Sequence, residues 1–458
     1  MQQPSSSEEQ YTNMLETPIP RLVTALAIPT TISMLVTVIY NTADTYFVSQ
    51  INKSASAAVG MVYTLMAVLQ AVGYGLGMGA GSLISRSLGR RDDEAAERCA
   101  SSAFFAALLL GALVGWGCLA GLAPILRLLR CSRTMLPHAR AYARYILLAA
   151  PLSCASFVLN NVLRAEGESR LAMWGLSVGG VLNVALDPLF LFVLPLGTGG
   201  AALATAVSQC VSFCLLLSFY LRGKSIVRVR LRSVSRRPGD YVQILATGLP
   251  TIFRQGLGSL AAALLNRQAV RYGDAAVAAI TIANKVYVFV RNLTLGIGQG
   301  FQPVAGYNYS AGKRRRVWQS FCFAALLGSA VCLAAAGGIA ALARPIMCWF
   351  SPDAEVRRIG TQTLYYACAV MPFLALSTYV NQLYQSLGFK TSATFLASCR
   401  QGVFFVPAIL LLPQLWGCVG VQLSQPAADF LTFVVSVPFL FAFYRKRIVG
   451  AAEGAAPK

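Results

Sequence analysis

Three acidic residues lie inside long apolar segments of this sequence, and their side chains are the best placed to do chemistry. They are Asp44, Asp187 and Asp429, out of 17 Asp and Glu in the whole chain. A carboxylate held away from water is stable only when it carries a proton or when a cation compensates its charge. These positions therefore indicate a pathway for protons or cations.

Asp44 and Asp187 are expected at depths that let them share one proton or cation. Asp44 follows Leu22 by about 22 residues, or roughly 33 Å along a helix, and Asp187 follows Leu171 by about 16 residues, or roughly 24 Å. Both segments start from the same predicted membrane face, so both acids would lie in the outer half. The alternative for Asp44 is that it only ends its helix at the outer surface.

Asn183 and Thr205 extend this pair into a possible set of oxygen ligands. Asn183 precedes Asp187 by four residues, so both face the same side of one helix. Thr205 lies in the following apolar segment. Hard cations take oxygen ligands, and we predict that Asp44, Asn183, Asp187 and Thr205 form the coupling site. The alternative is that the amide and hydroxyl only join neighbouring helices.

The second half of the chain has a different set of charges in its apolar segments. It carries Arg254, Lys285, Arg291 and Arg400 against a single acid, Asp429. These cations either pair internally or form the basic wall of a substrate cavity. Tyrosine and phenylalanine in apolar segments either pack or line a cavity for lipophilic cations. The candidate cavity residues are Tyr40, Phe157, Lys285, Tyr287, Arg400 and Asp429.

The elements that position these residues are membrane-spanning helices. Of the 458 residues, 56% are hydrophobic and 12% are charged, which is about half the charged share of a soluble domain. Segments of about 20 apolar residues recur, and in a bilayer such segments must be helical. We predict an all-α membrane protein with twelve spans, at 21–47, 55–80, 100–123, 139–163, 171–194, 198–221, 241–266, 275–300, 318–342, 361–387, 392–413 and 417–443.

The basic residues indicate the orientation in the membrane rather than binding to nucleic acid. The net charge is +21, but most Lys and Arg lie in short links between the predicted spans. With the N-terminus inside, 23 lie in inside segments, 11 in outside segments and four within spans. The positive-inside rule then predicts two cytoplasmic termini. We expect a multi-pass protein of the inner (plasma) membrane.

An internal duplication divides the chain into two halves. A shift of 221 residues aligns prolines, glycines and an asparagine across about 140 residues, including Pro29 with Pro250, Pro151 with Pro372, Asn160 with Asn381 and Gly167 with Gly388. Six spans per half give both halves one orientation, with a cavity expected between them. The predicted domains are an N-terminal tail (1–20), an N-lobe (21–221), a basic linker (222–240), a C-lobe (241–443) and a C-terminal tail (444–458).

Other chemistries find no support in the sequence. No P-loop motif is present, which argues against ATP coupling within this chain. The glycine run from Gly73 to Gly81 follows no strand, so we expect close helix packing rather than nucleotide binding. The twelve cysteines form no CxxC pair and His138 is the only histidine. We therefore expect no enzyme, no cofactor and no structural metal.

Several segments together resemble the multidrug and toxic compound extrusion (MATE) family. The segment from Gln299 to Tyr309 resembles the family's signature after the eighth helix, and the segment from Leu182 to Phe190 resembles its fifth-helix pattern. Further similarity lies at 41–44, 248–250 and 398–402, and the match runs from about residue 20 to 445. Among bacterial members, it is most similar to the staphylococcal-type multidrug exporters and the DNA-damage-inducible homologues.

The resemblance implies a V-shaped two-lobe fold and alternating access. It implies export driven by inward Na⁺ or H⁺, with the first-lobe cation site matching Asp44, Asn183, Asp187 and Thr205. We therefore expect a monomeric antiporter that exports lipophilic, often cationic small molecules. Two alternatives stay open: a flippase for lipid-linked precursors, which a basic cavity would suit, and a receptor or assembly factor on a transporter fold.

Overall fold

The computed structural model describes residues 7–51, 53–128, 131–194 and 196–449, and every regular element in these ranges is helical. The predicted tails therefore lie partly outside the described residues, at 1–6 and 450–458. The chain divides into two compact units. Unit 1 contains the described residues up to Glu16 and Ile32–Ile252, and unit 2 contains Thr17–Thr31 and the described residues from Phe253 onward. Both boundaries lie inside helices, and the lobe boundaries expected from sequence stay a prediction.

Unit 1 begins with a short helix and continues with long apolar helices. Its helices are α1 (Ser7–Glu16), most of α2 (Ile19–Ser49), α3 (Lys53–Gly89), α4 (Asp93–Ala120), α5 (Leu122–Leu128), α6 (Leu136–Glu166), α7 (Ser169–Pro188), α8 (Gly197–Leu221) and the start of α9 (Pro238–Ala269). A π-helical turn, Leu189–Val193, follows α7 directly, and a 3₁₀ turn, Leu231–Ser233, lies between α8 and α9.

Unit 2 is built from a similar series of helices. Beyond the rest of α9 and a 3₁₀ turn (Val270–Tyr272), it contains α10 (Asp274–Ser310), α11 (Arg314–Phe350), α12 (Ala354–Ser386), α13 (Lys390–Ser398) and α14 (Phe405–Phe443), with π-helical turns at Cys399–Val403 and Tyr444–Val449. Aspartates cap two helices, one in each unit. Asp92 accepts from the Ala95 amide at the start of α4, and Asp353 accepts from the Glu355 amide at the start of α12.

Ten helical segments among the described residues are long and apolar enough to cross a membrane. Two differences explain why ten segments are found where the sequence predicts twelve spans. The last apolar segment, Lys390–Val449, contains two predicted spans and is broken at Gly417, whose φ is 56°. The predicted span 241–266 is the helix α9, whose polar residues, Arg254 among them, make its composition less apolar. The structure therefore confirms an all-α membrane protein.

The same local structure recurs in each unit at a spacing of 221 residues. The Asn160 amide donates to the Ala172 carbonyl at 2.7 Å, and the Asn381 amide donates to the Ala393 carbonyl at 2.7 Å. Each bond crosses a turn that begins at a left-handed glycine, Gly167 (φ 94°) or Gly388 (φ 84°). Only a residue without Cβ adopts this φ at low cost, so glycine ends both helices.

The glycine run on α3 allows this helix to approach α6 closely. A Cβ on Gly77 would lie 2.7 Å from the Asn161 amide nitrogen and 2.9 Å from the Phe157 carbonyl oxygen. Both distances are below a normal van der Waals contact, so the two backbones would have to separate. Close helix packing, as predicted for this run, is confirmed for Gly77.

We predict that Asn160→Ala and Asn381→Ala destabilise the protein by a similar amount. Each removes a buried amide that joins two helices across a turn, at a cost of about 1–3 kcal/mol. Thermal unfolding of the purified chain in detergent measures the loss. Asn292→Ala is the matched control, because the Asn292 amide donates to the Val288 carbonyl one turn earlier in its own helix and so joins no second helix through this bond. A loss in Asn292→Ala equal to that in the two test variants would contradict the prediction.

Candidate cation-coupling site

Four helices of unit 1 bring together the side chains from which this site is built. Asp44 lies near the end of α2, Tyr142 near the start of α6, Asn183 and Asp187 in the second half of α7, and Thr205 in α8. Asp187 is fully buried and Asn183 is 2% exposed. Tyr142 and Thr205 are also buried, and Asp44 is half-buried. The site is therefore an internal polar cluster within apolar helices.

Two adjacent glycines on α7 allow the neighbouring helices to approach. A Cβ on Gly179 would lie 2.9 Å from the Ser208 carbonyl oxygen of α8. A Cβ on Gly180 would lie 2.8 Å from Val36 and 3.0 Å from Tyr40, both on α2. The side of α7 that carries no side chain at these two positions faces α8 and α2. This close packing sets the separation of the three helices one turn before Asn183.

Hydrogen bonds join the polar groups in two pairs of helices. The Tyr142 hydroxyl donates to Asp44 Oδ2 at 3.3 Å, which joins α6 to α2. The Asn183 amide donates to Thr205 Oγ1 at 3.2 Å, which joins α7 to α8, and it also faces Asp187 Oδ1 at 3.4 Å. The two carboxyl groups lie close enough to interact electrostatically. The cluster thus places two acids near one another with few donors between them.

Three oxygens of the cluster have no hydrogen-bond donor among the described residues. They are Asp44 Oδ1, Asn183 Oδ1 and Asp187 Oδ2, and all three are buried. A buried acceptor without a donor costs about 1–3 kcal/mol, and more when it is charged. A proton on a carboxyl, or a cation such as Na⁺ that takes oxygen ligands, would remove this cost. The residues present therefore fit a bound proton or hard cation.

The end of α7 is irregular directly after Asp187. Pro188 has no amide hydrogen, so the Val184 carbonyl lacks its usual helical donor. The following turn, Leu189–Val193, is π-helical, and such turns often occur at functional sites. A narrow crevice lined by Tyr40, Asn183 and Thr205, among others, reaches the same part of unit 1. The acid thus lies directly before an irregular part of its helix, one turn after the crevice-lining Asn183.

Tyr142 was not identified from the sequence as a site residue. Its partner Asp44 is 98 positions away in the chain, and a tyrosine in an apolar helix is usually a packing residue. No spacing rule connects the two positions. Only the packing of α6 against α2 could reveal the contact.

The predicted cavity residues fall into two groups in the structure. In unit 1, Tyr40 lines the crevice beside Asn183, and Phe157 is buried and stacks on Tyr74 with ring centroids 4.2 Å apart. The other four belong to unit 2, where Lys285 is exposed. Their role in binding a substrate stays a prediction.

The remaining three form one hydrogen-bonded group in unit 2. Arg400 Nε donates to Asp429 Oδ1 at 2.7 Å, and the Tyr287 hydroxyl donates to Asp429 Oδ2. Arg400 Nη2 also donates to the Tyr287 hydroxyl. Of the two alternatives stated for these cations, the structure therefore shows internal pairing for Arg400, whose partner is Asp429.

Comparison with known protein families identifies the class of protein that this architecture belongs to. The sequence model described as MatE matches residues 29–189 and again residues 250–410. The two matches begin 221 residues apart and end 221 residues apart, which is the offset of the duplication. Together they cover more than half of the chain. The chain belongs to the MatE family. Members of this family are ion-coupled transporters, so the chain is a multi-pass membrane transport protein and not an enzyme.

Curated relatives within this family are similar over nearly their whole length. The chain is 25% identical to the multidrug export protein MepA of Staphylococcus saprophyticus over 430 residues, which are 93% of this chain and 94% of the relative. It is 24% identical to the MepA of Staphylococcus aureus over 449 residues, which are 97% of this chain and 99% of the relative.

A solved structure shares the fold of this MatE member. It is the outward-facing conformation of a multidrug resistance MATE family transporter of the MOP superfamily. The TM-score is 0.91 at 25% identity, and the alignment covers 99% of this chain and all of the other. The resemblance that the sequence motifs indicated is thus confirmed at the level of family and fold.

We predict that Tyr142→Phe strengthens proton binding at the site about fivefold, because it leaves a second oxygen of Asp44 without a donor. The change removes only the hydroxyl that donates to Asp44, and one lost hydrogen bond is worth about 1 kcal/mol. The measurement is the rise in melting temperature of the purified chain as the pH is lowered in choline chloride. Tyr145→Phe, on the same helix but half exposed, is the matched control. Stabilisation by low pH that does not set in at a higher pH in Tyr142→Phe than in wild type would contradict the prediction.

Proposed function

We propose that this chain is a secondary active multidrug exporter that exchanges lipophilic small molecules for inward-moving H⁺ or Na⁺. The observation that carries the proposal is the group of three buried oxygens without donors on Asp44, Asn183 and Asp187. Membership of a transporter family and similarity to proteins named multidrug export proteins support it. The lipid-bilayer environment follows from the apolar helices, and small molecules are the expected substrates.

In this proposal the coupling ion acts on the packing of four helices. A proton or cation bound at Asp187 compensates its charge and supplies the missing partner of its Oδ2 oxygen. Asp44 either contributes Oδ1 to the same ion or is itself compensated by a second proton or cation. Because these groups come from α2 and α7, and bond to Tyr142 on α6 and Thr205 on α8, the occupied and empty sites favour different arrangements of these helices.

Transport requires that the two arrangements differ in their affinity for both ion and substrate. A ligand shifts a conformational equilibrium only by its differential affinity for the two states. The irregular turn after Asp187 is the part of α7 best able to change, since Pro188 has already removed one helical hydrogen bond. We infer that ion binding here favours release of substrate to the outside by alternating access.

We further propose that the protein works as a monomer in the inner (plasma) membrane with both termini in the cytoplasm. The excess of Lys and Arg in the segments on the side of the termini supports this orientation. In a bacterial host, a C-terminal green fluorescent protein fusion should fluoresce and a C-terminal alkaline phosphatase fusion should be inactive. The reverse pattern of the two reporters would overturn the orientation.

Efflux of a fluorescent lipophilic cation tests the proposed function directly. Cells that lack their own exporters and express the chain should lower their dye content, and collapse of either the Na⁺ or the pH gradient should abolish this. Asp187→Asn should reduce efflux at least about tenfold, because it removes the charge that the ion compensates.

Asp274→Asn is the matched control for the efflux measurement. It makes the same chemical change at an exposed acid in the first turn of α10, which belongs to unit 2, and should leave efflux unchanged. Normal efflux by Asp187→Asn under an imposed gradient would overturn the proposed coupling. Absence of flux in wild-type proteoliposomes with any gradient would overturn the transport function itself.

A further inference from the structure

The loop between α8 and α9 borders a cavity that the coupling site does not use. The loop covers residues 222–237, lies within unit 1 and forms a 3₁₀ turn at Leu231–Ser233. A cavity of about 340 Å³ lies where this loop meets the first two turns of α4. That volume is at the lower end of the range for sites that bind small ligands. The cavity is therefore large enough for a small ligand or for the headgroup of a larger one.

Four arginines line this cavity together with a single acid. Arg98 belongs to α4, Arg232, Arg236 and Arg237 belong to the loop, and the acid is Glu94 of α4. The guanidinium group stays protonated in proteins. The lining thus carries an excess of positive charge, which favours an anionic ligand.

The acids closest to the cavity are engaged by Arg98 and by a loop hydroxyl. The Arg98 guanidinium lies 3.9 Å from a Glu94 oxygen and 3.9 Å from an Asp240 oxygen. The neighbouring acid Glu97 accepts from the Ser233 hydroxyl at 2.8 Å. These carboxylates therefore compensate Arg98 rather than the arginines of the loop.

The three loop arginines have no such compensation. In the part of the chain that the structure describes, Arg232, Arg236 and Arg237 form no ion pair with an acid. All three are exposed, and all three border the same cavity. Their charge is therefore accessible to a ligand that enters it.

Hydrogen bonds to α4 hold the loop in place on both sides of its 3₁₀ turn. Before the turn, the Arg230 amide donates to Ser101 Oγ at 3.0 Å, and after it the Ser235 amide donates to Ser102 Oγ at 2.8 Å. Ser235 is buried. A ligand would not have to order this backbone, which lowers the entropic cost of binding.

Membrane orientation alone does not account for this arrangement. The positive-inside rule favours basic residues in such a loop, but it does not require them to share a cavity. Arg222, Arg228 and Arg230 of the same loop are exposed and do not line it. The loop therefore contains two sets of arginines, of which one surrounds a concave site.

We propose that Arg98, Arg232, Arg236 and Arg237 form a binding site for the phosphate group of a ligand. Guanidinium groups bind phosphate through paired, charge-assisted hydrogen bonds. The phosphate belongs either to an anionic lipid headgroup, since the cavity lies at the ends of membrane-spanning helices, or to a soluble phosphate compound. The inference is independent of the proposed export function, because binding at this loop requires no transport.

The test compares two fluorescent lipids that differ only in the phosphate. NBD-labelled phosphatidic acid and the corresponding diacylglycerol are titrated onto the purified chain in nonionic detergent, and fluorescence anisotropy reports binding. Wild type should bind the phosphatidic acid at least about tenfold more tightly, as expected for charge-assisted hydrogen bonds. In Arg232→Gln/Arg236→Gln/Arg237→Gln the ratio of the two affinities should fall to about one, because only Arg98, which two acids engage, remains.

The matched control removes the same number of charges from the same loop. Arg222→Gln/Arg228→Gln/Arg230→Gln changes three exposed arginines outside the cavity and should keep the wild-type ratio. Equal affinities for the two lipids in wild type would overturn the proposal. So would an unchanged ratio in the folded cavity variant, or an equal loss in the control variant, since the latter indicates only a general effect of charge.

A variant that should gain affinity keeps the test valid if the cavity variant does not fold. Glu94 is exposed and is the only acid in the lining. Glu94→Gln should tighten binding of phosphatidic acid about twofold, the usual strength of an exposed charge interaction, and should not change binding of diacylglycerol. Unchanged or weaker binding of phosphatidic acid in this variant would count against the site.

Competition identifies the source of the phosphate. Displacement of the probe by dihexanoyl phosphatidic acid at concentrations where inorganic pyrophosphate has no effect would assign the site to a lipid headgroup. Displacement by pyrophosphate at equal or lower concentrations would assign it to a soluble phosphate compound. Either result supports the phosphate site, and displacement by neither competitor would overturn it.

Discussion

A charge inside a bilayer must be compensated by another protein group, by a proton or by a bound ion, and the polar architecture of this protein follows from that requirement. The hydrocarbon core of the bilayer contains no water that could solvate the charge instead. Asp187 is fully buried with one oxygen that no described donor reaches. Asp429 meets the requirement in another way, through Arg400, Tyr287 and Gln425. In the proposed function the first acid is compensated by an external ion, whereas the second is satisfied internally.

The two units share the turns and hydrogen bonds of their backbone but differ in their charged residues. The bond from Asn160 to Ala172 recurs as the bond from Asn381 to Ala393, at the duplication offset. At the same offset, Asp44 corresponds to Leu265 and Asp187 to Ala408. Turns and helix packing are thus retained in both copies, since they serve the fold. The charged positions have diverged, which is expected if only one of the two units binds the coupling ion.

Much of the fold was predictable because the bilayer simplifies the problem. Apolar segments must be helices there, so length and composition suffice to locate most of them. The two exceptions have clear causes. Arg254 and other polar residues make α9 less apolar than a typical span, and α14 runs through Gly417, where two predicted spans meet. The boundary of the units inside α2 could not be predicted, because it depends on which helices the first turns contact.

By itself the sequence determined the family, the duplication, the helices and the acids that need compensation, since each follows from composition, spacing or a local motif. Only the tertiary structure decided which polar groups meet. Tyr142 reaches Asp44 from a position 98 residues away, Arg400 rather than Lys285 bonds to Asp429, and Arg254 comes near Arg291 and Arg400. Such contacts depend on the rotation and register of packed helices. Single glycines such as Gly179 and Gly180 set the rotation and register of neighbouring helices because they allow close approach. No local pattern in the chain encodes which polar groups then meet.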